Sequence, residues 1–136
     1  MKEIMAVIRM EKTGATKKAL VEAGAAGFTA YKVLGRGKHV EDLAIIAARK
    51  AELISLAQAE DDQAAIELIE GFLDGSRLFP CRLFTVVAQD EDVQKIVAAI
   101  IAVNRTDKRV GDGKIFVMPI LDAVRVRTGE VGSAAI

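Results

Sequence analysis

The chain has few cysteine and histidine residues, and this shortage excludes several kinds of site. Cys81 is the single cysteine and His39 the single histidine among 136 residues. One cysteine excludes an intramolecular disulfide and a cysteine-based zinc cluster. One histidine beside it makes a poor ligand set for a soft metal ion. We therefore expect neither a disulfide-stabilised fold nor a soft-metal centre.

Excess charge and long apolar runs are also absent. Lys and Arg number 19, as do Asp and Glu, so the formal net charge is zero, which argues against a nucleic-acid or membrane-surface protein. Aromatic residues make up 4%, too few for the interleaved aromatics of an RNA-recognition motif. No apolar run approaches the roughly 20 residues that span a bilayer, and the N-terminus lacks an apolar signal segment. We expect one cytoplasmic domain, without nucleic-acid partner or membrane insertion.

The first third of the chain is predicted to form a strand, a helix and a second strand. Residues 3–10 are almost continuously apolar, which is typical of a strand buried on both faces. Thr13 or Thr16 is a candidate N-cap for a helix that runs to about Ala23. Residues 28–34 are rich in β-branched and aromatic side chains, which favours a second strand.

The second half repeats that order. Residues 82–88 form a predicted strand, and Asp90 or Asp92 is a candidate cap for a helix whose apolar residues recur at 3–4 spacing. Residues 114–120 then form a further strand. Two strand–helix–strand units in tandem predict an α+β fold, the ferredoxin-like βαββαβ sandwich with its helices on one side of an antiparallel sheet.

Residues 36–81 form an insertion between the second and third strands that is too long for an ordinary loop. Apolar residues recur across 41–59 at helical spacing, and Asp61 or Asp62 is a candidate cap for a second helical stretch. We therefore predict one domain over 1–136 with a partly helical insertion over 36–81.

A glycine turn near the C-terminus is the best candidate for a binding site. The sequence Gly111-Asp112-Gly113-Lys114 places two glycines around an aspartate, so the backbone can take positive φ and approach a ligand closely. Lys114 opens the apolar run of the last strand. The turn does not match a Walker A loop, and a plain hairpin turn is the alternative interpretation.

Arg125 and Arg127 follow the last strand and are two residues apart. In an extended segment both guanidinium groups would leave the same face. Guanidinium forks match phosphate geometry, so the turn, Lys114 and both arginines together suit a ligand with several phosphate oxygens. A solvated strand face is the alternative interpretation of the paired arginines.

Two motifs together carry a resemblance to a known family. Gly-Asp-Gly-Lys-Ile-Phe-Val at 111–117 and Arg-Val-Arg-Thr-Gly-Glu-Val-Gly at 125–132 closely resemble the C-terminal signature of the PII (GlnB-like) signalling proteins, in the same order. The resemblance implies a homotrimer, or a hetero-oligomer with a paralogous GlnB-like subunit. It also implies that residues 36–81 correspond to the family's T-loop.

The family's nucleotide site lies between subunits, and the resemblance transfers it residue by residue. It implies that Gly111, Asp112, Gly113 and Lys114 of one chain meet the phosphates of ATP or ADP together with Arg125 and Arg127 of a neighbour. It implies contacts from Gly35 and Gly37 at the root of the T-loop, and an adenine contact from Thr29. The family also binds Mg²⁺ and 2-oxoglutarate at that root. The usual glutamine is missing here, so Lys38 or His39 is the candidate substitute.

The segment 33–38 and the long T-loop resemble one branch of the family. Residues 36–81 contain no tyrosine, so we expect no control by nucleotidylation of a tyrosine. Together they resemble the second GlnB-like protein of the pair encoded among nitrogen-fixation genes, which implies an allosteric sensor acting on a nitrogenase component. Regulation of an ammonium transporter or glutamine synthetase, ATP hydrolysis, and a structural trimer that binds metal or another small ligand are the alternatives.

Overall fold

A computed structural model describes residues 1–37, 43–59, 61–73, 78–107 and 111–136 of the chain. Its main elements, in chain order, are β1 (Lys2–Arg9), α1 (Thr13–Glu22), β2 (Thr29–Gly35), α2 (Leu43–Ala59), α3 (Gln63–Leu73), β3 (Phe79–Ala88), α4 (Val93–Asn104) and β4 (Lys114–Pro119). Short 3₁₀ turns cover Met10–Lys12 and Gly132–Ala135. Without α2 and α3, this order is the predicted βαββαβ.

The four strands form one antiparallel sheet in the order β2-β3-β1-β4. β1 lies in the middle, antiparallel to both β3 and β4. Met5 faces Thr85 on one side and Phe116 on the other, and Val7 faces Leu83 and Lys114. This register brings the first residue of β4 beside the C-terminal half of β1. The predicted α+β ferredoxin-like fold is confirmed.

One face of the sheet carries the core. Alternate residues of a strand point to opposite faces, and the alternate residues Ile4, Ala6 and Ile8 of β1 are at most 2% exposed. They pack with further buried residues of β3, of α1 and its C-cap, and of α4: Phe84, Val86, Ala88, Leu20, Ala23, Val93, Ile96 and Ile100. The helices α1 and α4 therefore cover this face.

The opposite face, which we call the open face, is less buried. Met5 and Val7 of β1 are half-buried there, as are Leu83 and Val87 of β3. On β4 the exposed fraction of Phe116 reaches 45%. Within one copy of the chain, this apolar surface therefore stays accessible to water.

The predicted helix caps were only partly right. Lys12 occupies the N-cap position of α1 without a side-chain hydrogen bond, so neither Thr13 nor Thr16 is the cap. Thr13 donates its hydroxyl to the Met10 carbonyl at 2.6 Å. Asp92 does precede α4 as its N-cap, but its carboxylate makes no capping hydrogen bond. The 3₁₀ turn Met10–Lys12 leads directly into α1, so Lys12 and not a threonine stands at the N-cap position.

Thr16 has a different role, inside the helical layer. It is fully buried, and its hydroxyl accepts a hydrogen bond from the side-chain amide of Asn104 at 2.9 Å. The same amide donates to the Ile100 carbonyl, also at 2.9 Å. This buried polar contact joins α1 to the end of α4.

Residues 34–79 form a compact unit distinct from the unit of residues 1–33 and 80–136. Within it α2 packs against α3. The turn between these helices is closed by a hydrogen bond from the Asp62 amide to the Ala57 carbonyl at 3.0 Å. Asp62 then caps α3, because its carboxylate accepts from the Ala65 amide at 2.9 Å. The predicted helical character of the insertion is present, while the predicted bounds 36–81 stay a prediction.

In the ranges given above, we find no helix that is both long and apolar enough to cross a bilayer.

The buried Thr16–Asn104 contact gives a stability prediction. Thr16→Val keeps the side-chain shape but leaves one buried N–H of Asn104 without its acceptor, so we expect a loss of about 1–2 kcal/mol in the free energy of unfolding. Urea unfolding measures it. Thr29→Val, at an exposed position of β2, is the control, and we expect a change within about 0.5 kcal/mol. Equal effects of the two substitutions would contradict this assignment.

Candidate functional site

The glycine turn, residues 111–113, is shaped by its contact with β1. Gly111 has φ +94° and Gly113 has φ +102°, both in the left-handed region that side chains rarely adopt. A Cβ atom added to Gly113 would lie 2.1 Å from the Val7 carbonyl oxygen. The backbone at Gly113 thus passes directly against β1. Both glycines are required by the chain's own conformation.

Asp112 is held by a set of contacts that we call the Asp112 clamp, formed by Arg9, Thr106 and Asp112. Arg9 Nη2 lies 3.0 Å from Asp112 Oδ1. The Thr106 hydroxyl donates to the same oxygen at 2.6 Å, and the Thr106 amide donates to Oδ2 at 2.9 Å. The carboxylate therefore ties the turn both to the end of β1 and to the segment after α4.

Lys114 is the first residue of β4 and is exposed. Since it faces Val7 in the register, its position in the fold is set by the pairing of β4 with β1. A cleft of about 250 Å³ lies beside the turn, lined by Ile8, Ile100, Ile101, Asn104, Arg105 and residues 112–115. Its volume is below the roughly 300–1,000 Å³ of pockets that enclose a small-molecule ligand.

The prediction that Arg125 and Arg127 lie in an extended segment was wrong. The Arg125 carbonyl accepts hydrogen bonds from the Thr128 amide at 3.2 Å and the Gly129 amide at 2.8 Å, which makes residues 125–130 a turn. Val124 and Val131 flank it through an isolated antiparallel bridge. We call residues 125–130 the C-terminal turn. Thr-Gly at 128–129 carried the turn signal, and Gly129 has φ +73°.

The two arginines differ in their surroundings. Arg125 Nη1 lies 2.6 Å from Glu130 Oε2, and its Nη2 donates to the Ala134 carbonyl at 3.0 Å. The Thr128 hydroxyl donates to the same Glu130 oxygen at 2.7 Å. Arg127 is exposed and makes no hydrogen bond or ion pair within the described part of the chain. Its guanidinium is therefore available to an external anion, whereas Arg125 is already anchored.

The other predicted contacts lie elsewhere. Thr29 begins β2 and is exposed. Gly35 ends β2 in the unit of residues 34–79, and Gly37 follows it there. A Cβ atom added to Gly37 would meet nothing within 4 Å, so the chain's own packing does not demand glycine at that position. Lys38 and His39 lie outside the described residues.

Sequence reasoning missed Arg9 and Thr106. Arg9 looked like the polar end of an apolar strand, and Thr106 like an ordinary loop residue. Strand alternation places Arg9 on the face of Met5 and Val7, but it does not indicate a contact with the turn, because Val7 meets the turn through its backbone carbonyl. The pairing of Thr106 with Asp112 has no signal in the sequence either, because it depends on how the chain returns after α4.

Metal ligands are scarce in what the structure describes. No group of three or more His, Cys, Asp or Glu side chains there is arranged to hold a metal ion. Mg²⁺ usually takes one or two protein ligands and is completed by phosphate oxygens and waters.

The glycine turn lies with the cationic side chains of Arg9, Arg105 and Lys114 at this site. The chain is an α+β protein of the ferredoxin-like class, with this turn directly before β4. Comparison with known proteins is more specific. The family model "Nitrogen regulatory protein P-II" matches residues 1–130, and the chain belongs to this family.

Relatives match over the full length of the chain. It is 42% identical to "Nitrogen fixation nifHD region GlnB-like protein 2" of Methanobacterium ivanovii, over 100% of this chain and 99% of the relative. The protein of the same name in Methanothermobacter marburgensis is 37% identical over 100% of both chains. "Nitrogen regulatory protein P-II" of Cereibacter sphaeroides is 33% identical over 100% of both. The chain is therefore a PII nitrogen regulatory protein with relatives from nitrogen-fixation regions, and this family consists of signalling proteins rather than enzymes.

The close approach of Gly113 to β1 gives a second prediction. Gly113→Ala adds a Cβ that overlaps the Val7 carbonyl, so we expect a loss of about 3 kcal/mol or more in the free energy of unfolding. Gly129→Ala is the matched control, since Gly129 also has positive φ but nothing within 4 Å of an added Cβ. It should cost about 1–2 kcal/mol, the strain of the backbone alone. A smaller loss for Gly113→Ala in urea unfolding would contradict the contact.

Proposed function

We propose that this chain is a cytoplasmic sensor of nitrogen, carbon and energy status that binds ATP or ADP, Mg²⁺ and 2-oxoglutarate. In the proposal, nucleotide and 2-oxoglutarate change the conformation of the T-loop, which regulates nitrogen fixation by acting on a nitrogenase component. A ligand can drive such a change because it binds one conformation better than another.

The observation that carries the nucleotide proposal is the glycine turn. Its two positive-φ glycines are fixed by contact with β1, and Lys114 follows directly. A preformed turn needs little ordering when it binds, which favours affinity. Lysine beside exposed backbone amides is a common arrangement for phosphate.

The same proposal requires a second copy of the chain. The cleft beside the turn is too small for a nucleoside triphosphate, so further walls must come from elsewhere. The exposed Arg127 would be supplied by a neighbouring copy. The open face offers the apolar surface on which copies would associate, with Phe116 as its most exposed aromatic residue on β4. We propose a trimer, formed by this chain alone or with a paralogous GlnB-like subunit.

The target is inferred from the relatives. Several of them are named for nitrogen-fixation regions, and they match this chain over its full length. This favours nitrogenase over an ammonium transporter or glutamine synthetase. Regulation of an ammonium transporter or glutamine synthetase is the second candidate, because the 33%-identical relative carries the general name "Nitrogen regulatory protein P-II".

Isothermal titration calorimetry tests the ligand part of the proposal. We expect ATP to bind and 2-oxoglutarate to bind far more tightly when Mg-ATP is present. Arg127→Ala should weaken ATP binding roughly 10- to 100-fold, because a charge-assisted hydrogen bond contributes about 1.5–3 kcal/mol. Lys17→Ala, which removes an exposed charge from α1, should leave the Kd within about two-fold. Equal 2-oxoglutarate affinity with and without Mg-ATP would remove the coupling between the two ligands.

The assembly is tested by analytical ultracentrifugation. Phe116→Asp places a charge on the open face at its edge strand β4, so we expect the trimer to dissociate into smaller species at micromolar concentration. Val21→Asp is the control, because Val21 is 66% exposed on α1 in the helical layer. It should sediment like the parent chain. A parent chain that is monomeric at all concentrations would contradict the trimer.

A test of the regulatory part of the proposal requires the proposed target, a nitrogenase component. Purified nitrogenase components can be mixed with this chain, and with its paralogous subunit where the genome supplies one, in ADP alone and in Mg-ATP with 2-oxoglutarate. We expect association in one ligand state and release in the other. Association that is the same in both states would contradict a ligand-controlled switch, even if nucleotide binding is confirmed.

A further inference from the structure

We propose that Arg9 is a positioning residue of the nucleotide site and that it acts through Asp112. The inference rests on the proposed binding of ATP at the glycine turn. In this arrangement, Arg9 holds the turn in the conformation that presents its backbone to phosphate, and it neutralises the one carboxylate that the turn carries.

The geometry ties Arg9 to the turn at two residues. Its Nη2 atom pairs with Asp112 Oδ1 at 3.0 Å. The same atom lies 3.1 Å from the place where a Cβ of Gly111 would be, and Nε lies 3.6 Å from it. The guanidinium thus occupies the space beside the Gly111 backbone. A planar guanidinium fits this position, whereas the flexible stem and point charge of lysine would fit it less well.

Thr106 completes the support from the other side. Its amide and its hydroxyl donate to the two oxygens of the Asp112 carboxylate, at 2.9 and 2.6 Å. Since Thr106 and Asp112 are six residues apart, this contact closes the loop that leads from α4 into the turn. Arg9 adds the link to β1. The turn is therefore fixed at its start, at its centre and, through Gly113, at its end.

The charge of Asp112 is the second part of the argument. The side chains of Arg9 and Asp112 are 21% and 30% exposed, so their interaction is less screened by water than a surface ion pair. A carboxylate between two glycines that approach a triphosphate would repel it. Paired with Arg9, the same carboxylate can serve as a structural anchor at low electrostatic cost to the ligand.

This role predicts a non-additive pattern of ATP affinities. Arg9→Met removes the link from the turn to β1 and the positive charge that faces the Asp112 carboxylate, so we expect the Kd for Mg-ATP to rise at least tenfold. Asp112→Asn keeps the side-chain shape and removes the charge, with an expected rise of about threefold. In the double variant the repulsion is absent, so its Kd should lie below that of Arg9→Met. Such coupling is typical of residues in direct contact.

Calorimetry on the full-length protein, with Mg-ATP as the probe, measures these four affinities at two salt concentrations. The difference in Kd between Arg9→Met and the parent chain should become smaller as the salt concentration rises, because screening weakens the repulsion between Asp112 and the triphosphate. Lys17→Met removes an equally positive, exposed charge from α1 and should change the Kd less than twofold. Additive losses in the double variant would overturn the inference, since they would mean that Arg9 and Asp112 act independently of each other.

Two further outcomes separate this inference from the proposed function. If the parent chain does not bind Mg-ATP, the proposed function fails, and the role of Arg9 fails with it. If the parent binds and Arg9→Met binds equally well, only the role of Arg9 is overturned. Should Arg9→Met fail to fold, Arg9→Lys is the second variant. It retains the positive charge without the planar guanidinium, and we expect the Kd for Mg-ATP to rise roughly threefold. An unchanged Kd for Arg9→Lys would overturn the positioning role.

Discussion

The close approach of Gly113 to the Val7 carbonyl is the constraint on which the candidate site depends. It places the glycine turn against the central strand, next to the point where β4 begins its pairing with β1. Because hydrogen bonds of the sheet fix that pairing, the position of Lys114 follows from the same constraint. The turn is therefore held in place by the sheet, although it is itself a loop. Sites built on such rigid elements hold their geometry better than sites on free loops.

The two cationic segments of the site are supported in different ways. The Asp112 clamp secures the glycine turn through a carboxylate that the turn itself supplies. The C-terminal turn is secured through Glu130, which binds both Arg125 and Thr128. In both cases an acidic side chain organises the backbone instead of binding a ligand. Zero net charge for the chain as a whole is therefore compatible with local surfaces that suit an anion.

Membership of the PII family gives this arrangement a physiological setting. A signalling protein needs ligand binding to alter a surface that a target can detect, and residues 34–79 form a separate compact unit with two helices of its own.

Much of the fold followed from local patterns. The apolar run of β1, the 3–4 spacing in α4 and the repeated strand–helix–strand order predicted the sandwich, because alternation and helical periodicity reflect which faces are buried. The helical insertion and the cap at Asp62 were predicted in the same way. The N-cap of α1 was predicted wrongly. The 3₁₀ turn at Met10–Lys12 puts Lys12 at the N-cap position, and its side chain makes no capping hydrogen bond.

The sequence by itself determined that two glycines form a turn before β4, which begins with Lys114, because glycine is the residue that tolerates positive φ. Tertiary structure alone decided that Val7 makes Gly113 obligatory, that Arg9 and Thr106 hold Asp112, and that Arg125 is anchored while Arg127 is exposed. These contacts join residues from separate segments of the chain or depend on a particular turn. Their physical cause is the path that the chain takes between and after its strands, which spacing in a sequence does not encode.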